Sequence, residues 1–106
     1  MRRVTRDVVY CQTGRFNPPA LTVQPGETVL VETELCSGNW LHDLGDRWSP
    51  EVSRGVNPAS GPLYVEGAQP GDVLAVRIES VAVADLGYTG FAPGRNPFPD
   101  WIRGQE

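Results

Sequence analysis

Residues 24–33 read QPGETVLVET and residues 69–78 read QPGDVLAVRI, one pattern repeated 45 positions later. In each copy Pro presets its own φ and the Gly after it accepts a positive φ, so the pair makes a tight turn. An acid follows the turn, and then a strand-like run whose apolar positions correspond: Val29 with Leu74, Val31 with Val76, Thr33 with Ile78. Turn-then-strand is a common unit of β proteins, so the echo reads either as that unit used twice or as an internal duplication. Two copies are too few for a solenoid. Both readings give one fold class: all-β, a small sandwich or barrel-like domain with long loops and little helix.

Working outward, residues 28–35 (TVLVETEL) alternate strictly, with Val29, Val31, Thr33 and Leu35 on one face and Leu30, Glu32 and Glu34 on the other. That period predicts a half-buried strand. Residues 4–11 (VTRDVVYC), 62–66 (PLYVE) and 72–83 (DVLAVRIESVAV) are strand-like as well. Between the first two strands lies GRFNPPA at 14–20, whose consecutive prolines forbid helix. The longest irregular stretch is 36–61, and loops of that length in a small domain are functional or partly disordered. Residues 87–106 are punctuated by Gly and Pro throughout, which predicts an extended tail on a single domain spanning 1–106.

Composition narrows the function classes. The chain has 106 residues with 12 Gly and 10 Pro, too much chain-breaking material for a helical bundle. All nine basic residues are Arg, so lysine Schiff-base chemistry is excluded within the chain. Net charge is −4 and the arginines are scattered, whereas nucleic acid needs a basic stripe to neutralise phosphates. No apolar run approaches the ~20 residues that cross a bilayer, so no membrane partner is expected. Met1 to Tyr10 lacks the apolar run of a secretory signal. Cys11 and Cys36 are accordingly expected as free thiols in the cytoplasm. Trp40, Trp48 and Trp101 belong either in a core or under a partner.

The side chains that carry chemistry are few. His42 is the sole histidine, which removes blue-copper ligation and any two-histidine mechanism. Two cysteines are too few for structural zinc of the four- or three-cysteine type. His42, Asp43 and Asp46 (HDLGD) form a candidate mononuclear metal set, because imidazole and carboxylates suit divalent cations; the competing reading is a solvated polar loop. No serine lies in a G-x-S-x-G elbow. Cys36 and His42 are near enough in sequence to pair, but a free cysteine is more often a small buried hydrophobe. Glu66 ends the PLYV run just before Gly67, a place where backbone can approach a ligand closely. Asp72, after Pro-Gly, is expected to cap its own turn through an Asx-type hydrogen bond.

Residues 57–94, NPASGPLYVEGAQPGDVLAVRIESVAVADLGYTGFAPG, resemble the acetamidase/formamidase family. The specific core of the likeness is GP-x-x-VEGA-x-PGD at 61–72, followed by a Gly-aromatic-Thr-Gly segment and Pro-Gly. PGETVLVETELCSGN at 25–39 is similar to that family's earlier Pro-Gly-acid-strand segment, so the likeness covers most of 17–94. It matches only about the N-terminal third of a family member. The family's later Gly-Gly-Asn-x-Asp, Gly-Asp-x-His and Gly-Asp-Gly-Glu motifs have no counterpart in the 106 residues.

The resemblance implies hydrolysis of small aliphatic amides to carboxylate and ammonia by a β-rich, frequently oligomeric enzyme, with a divalent metal such as zinc as the cofactor to consider. It makes Glu66 the candidate catalytic base or acid and Asn39 the candidate contact for the amide. Two departures bear on the chemistry: Leu35 stands where the family carries Asp, and Trp40 where Gln often follows Asn. A one-residue slip would offer Glu34 instead, on the opposite strand face. With one histidine and no later motifs, the chain is expected to be an incomplete amidase by itself. It would then act as a fragment or subunit beside a second amidase subunit or further copies of itself. The alternative is a non-catalytic β-sandwich binding or assembly module derived from the family.

Overall fold

The computed structural model describes residues 1–53 and 55–89. Regular structure within them is all strand: β1 (Arg2–Val4), β2 (Val9–Tyr10), β3 (Leu21–Val23), β4 (Val29–Val31), β5 (Ala59–Ser60) and β6 (Leu63–Val65). They pair as three two-stranded ladders: β1 with β4 parallel, β2 with β5 antiparallel, and β3 with β6 parallel. The fold is β-rich, as the alternation predicts. The elements are shorter than predicted: β4 stops at Val31 although its alternation continues to Leu35. The predicted strand at 4–11 is divided between β1 and β2 by a bend at 6–8. β3 lies outside the strand-like runs of the sequence, because three residues after a double proline leave too little period to read.

Each parallel ladder is extended by backbone bonds just beyond its strands. Glu32 N donates to Val4 O at 2.9 Å at the end of β1–β4. Ala20 N donates to Pro62 O at 2.8 Å and Glu66 N to Val23 O at 2.9 Å, one at either end of β3–β6. Arg2 and Arg3 add side-chain ties. Arg2 forms a two-pronged bond with Glu27 (2.7 and 2.6 Å) and donates to Thr22 O at 2.7 Å. Arg3 meets Glu32 at 2.8 Å. The core is minimal. Among the described residues the buried large apolar side chains are Val4 and Val23, 2% and 7% exposed.

The two Pro-Gly repeats fold identically as far as the turn. Glu27 N donates to Gln24 O at 3.0 Å and Asp72 N to Gln69 O at 3.0 Å. The acids return the bond, Gln24 N to Glu27 Oε2 at 3.0 Å and Gln69 N to Asp72 Oδ2 at 2.8 Å, so the cap expected of Asp72 is present. Gly26 (φ 81°) and Gly71 (φ 99°) both take the left-handed conformation that the turn requires.

Past the turn the copies diverge. Val29–Val31 pairs with β1, whereas the predicted strand at 72–83 joins no ladder among the described residues. Its side chains are exposed at odd and even positions alike: Val73 96%, Leu74 68%, Val76 76%, Ile78 75%, Val81 77%, Val83 85%. The arm leaves the body at the Asp72 turn and returns at Tyr88, whose ring packs edge-on to Trp40 at 5.0 Å. The Cα radius of gyration is 17.5 Å, against roughly 13 Å for a compact chain of this size. Of the predicted tail at 87–106, residues 90–106 lie outside the described residues, as does Trp101.

Candidate functional site

Glu66 is placed by the sheet itself. Its N–H is the last rung of the β3–β6 ladder, so its side chain leaves the sheet edge at a fixed point, exposed to solvent. The Gln24 carboxamide donates from Nε2 to Glu66 Oε2. Gln24 is in turn held by its backbone N–H on Glu27, and Glu27 by Arg2. The first turn therefore presents a primary amide to the one carboxylate that the sequence motif singles out. The same hydrogen bonds with Arg2 and Gln24 N hold the Glu27 carboxyl down to about 2 from its ordinary 4.5, and Glu27 raises Arg2.

Asn39 lies elsewhere, in the bend after β4, and is exposed. Around it is a polar cluster that sequence reading missed. Tyr88 Oη shares hydrogen bonds of 2.9 Å with Cys36 Sγ and with Ser37 Oγ, and Trp40 Nε1 donates to Ser37 Oγ at 2.8 Å. Ser37 is buried, and Asn57 N donates to Cys36 O at 2.7 Å, closing the loop onto the body. The bond with Cys36 pushes the Tyr88 hydroxyl above its ordinary value, partly countered by Ser37. Cys36 is thus engaged with Tyr88, 52 positions away, a pairing that local spacing cannot show. The available signal was the Gly-aromatic-Thr segment at 87–89. No hydrogen bond joins Asn39 to Glu66 among the described residues.

The 42–46 loop is organised around its own backbone. Asp46 Oδ2 accepts from His42 N at 2.6 Å and Asp43 N at 2.8 Å, bonds that hold its carboxyl below the ordinary carboxylate range. Asp46 Oδ2 is therefore committed to the turn, and the His42 and Asp43 side chains are exposed. Among the described residues no three His, Cys, Asp or Glu side chains are grouped to hold a metal ion. The His42, Asp43 and Asp46 side chains as placed do not make a zinc centre. Glu34, the alternative to the missing acid at Leu35, folds back so that its Oε1 accepts from Leu35 N at 2.9 Å. A cavity of about 340 Å³ opens between Val4, Val8, Tyr10, Pro19 and Gly61. Arg3 and Thr5 add polar groups to its lining, which holds no carboxylate, thiol or imidazole.

These placements define a β scaffold carrying one presented carboxylate and a separate hydroxyl–thiol cluster, and sequence comparison gives that scaffold its family. The chain belongs to the acetamidase/formamidase family, whose sequence model matches residues 14–98. It is similar to Putative formamidase C869.04 of Schizosaccharomyces pombe, with 32% identity over 85 residues, 74% of this chain and 20% of that protein. The chain thus spans about a fifth of the length of that curated relative. No solved structure matches it.

Proposed function

We propose that this chain supplies part of the active site of an amidase that hydrolyses small aliphatic amides, of the formamide and acetamide class, to a carboxylate and ammonia. The observation that carries this reading is Glu66: within the family's VEGA segment, it is fixed by the last rung of a ladder and bonded to a carboxamide N–H donor. A small primary amide offers the same donor in place of Gln24. Amide hydrolysis needs a base for the attacking water, a donor to the carbonyl oxygen and an acid for the leaving nitrogen. Glu66 serves the water or the nitrogen. Asn39, the amide contact that the resemblance implies, lies in a separate bend with no hydrogen bond to Glu66 among the described residues, so it reaches the same substrate only in the complete assembly. The groups still needed come from family sequence outside these 106 residues. The complete assembly is a cytoplasmic β-sandwich oligomer on this reading.

The test is ammonia release from formamide and acetamide. The chain alone is expected to give none. Joined with the remaining family sequence, whether as one polypeptide or as a second subunit, it is expected to turn over. Glu66→Gln should lower that kcat by at least about a hundredfold, the lower end for a lost general acid or base. Unchanged turnover in the Glu66→Gln enzyme would make Glu66 structural and leave the assembly-module reading, which the unpaired arm at 72–85 favours.

A further inference from the structure

Val23 and Val65 are the last paired residues of β3 and β6, so in parallel register the next positions, Gln24 and Glu66, stand side by side at the ladder's end. Their contact follows from that register, and the turn itself does not need it. The second repeat is the evidence. Its turn closes through the same backbone bond and the same acid cap, yet the Gln69 carboxamide makes no hydrogen bond among the described residues. The Gln24 carboxamide is likewise spare for its turn, and it donates to the carboxylate that the amidase reading puts to work. Because Glu27 and Arg2 hold the Gln24 backbone, the carboxamide can swing away by a rotamer change that leaves the turn in place.

We propose that Gln24 is a specificity-determining residue: an internal carboxamide that occupies the amide subsite at Glu66 and yields it to substrates bringing an N–H of their own. The proposal rests on the amidase reading and goes beyond it by naming which amides exchange with Gln24. Formamide and acetamide each carry two N–H donors and replace the broken bond with one of the same kind. An N,N-disubstituted amide carries none, so it leaves the Glu66 carboxylate without that donor. The contact also sets affinity. While Gln24 sits on Glu66 the subsite is closed, so the apparent dissociation constant is the intrinsic one divided by the fraction of molecules with the pair open. Removing the carboxamide raises that fraction and leaves Glu66 itself intact.

The experiment has two parts. In the chain alone, NMR compares the side-chain NH2 signals of Gln24 and Gln69. Those of Gln24 should be displaced from those of Gln69 and should move to the Gln69 values in Glu66→Ala. Coincident signals in the unaltered chain would remove the contact and overturn the proposal, whatever the activity. In the complete assembly, Gln24→Ala should lower KM for acetamide by at least about threefold, the lower range for one hydrogen bond in water. The change should fall on KM rather than kcat. Inhibition by N,N-dimethylacetamide, whose nitrogen bears no proton, should be unmoved by the same substitution. Gln69→Ala, in the matching turn, should leave KM as it is. An unchanged KM in Gln24→Ala, a gain shared by N,N-dimethylacetamide, or the same gain from Gln69→Ala overturns the proposal. Turnover lost in Glu66→Gln but indifferent to Gln24→Ala sinks this inference alone. Turnover unchanged in Glu66→Gln sinks the amidase reading of Glu66 and this inference with it.

Discussion

The repeats at 24–33 and 69–78 share a turn but not a fate. Both close through the same backbone bond and the same acid-to-amide return, with a left-handed glycine in each. One then pairs with β1, and the other runs out as an exposed arm. Turn geometry is a local property of Pro, Gly and an acid. Strand pairing is tertiary, because the alternation that marks a strand says nothing about where its neighbour lies. The first copy finds Arg2–Val4, with Arg2 on Glu27 and Arg3 on Glu32. The second, carrying Arg77 at the position of Glu32, is not matched to that neighbour.

Paired substitutions in the two copies sharpen this contrast. The largest effect is expected from Val4→Ala, which empties the buried position behind the first copy. It should cost about 2 kcal/mol in denaturant unfolding. Val76→Ala, at an exposed position in the arm, should stay within about 0.5 kcal/mol when measured at concentrations too low for association. Equal costs would mean that the arm has a neighbour within the chain. Next, Gly26→Ala should cost about 1 kcal/mol, because alanine is strained at φ 81° although the space beside it is open. Gly71→Ala faces the same strain at φ 99°. It should loosen only the local turn, visible in the exchange of the Asp72 amide while the unfolding midpoint holds.

The smallest effect is electrostatic. Arg2 and the Gln24 amide lower the Glu27 carboxyl to about 2 in the folded chain from an ordinary 4.5. A depressed carboxyl contributes stability above its unfolded value and loses it as pH falls through the folded one. Stability of the β1–β4 ladder should therefore decline between about pH 4.5 and about pH 2. Glu27→Gln should flatten that decline, followed by thermal unfolding across the same range. Because the pair is solvent-facing, added salt should also weaken it. A decline of undiminished size in the variant would assign it to other acids, with Asp46 the first to test.

The same division explains what could be read beforehand. The β class, both turns and the Asp72 cap follow from short-range chemistry and were legible. β3 and β5, two or three residues each, carry too little period to be seen. Glu66 was reached through its motif, but its bond with Gln24 spans 42 positions and depends on β3 lying beside β6. The Cys36–Ser37–Tyr88 cluster depends likewise on the arm returning to the body. Spacing placed His42, Asp43 and Asp46 together, yet Asp46 is drawn into hydrogen bonds with the nearest backbone amides instead.

Hydrogen exchange along the backbone tests the contrast most directly. At concentrations where the chain is monomeric, the amides of residues 29–32 should be protected. Those of 73–83 should exchange at the rate of an unstructured peptide. Protection of 73–83 equal to that of 29–32 in the monomer would reveal a partner strand within the chain and contradict the unpaired arm.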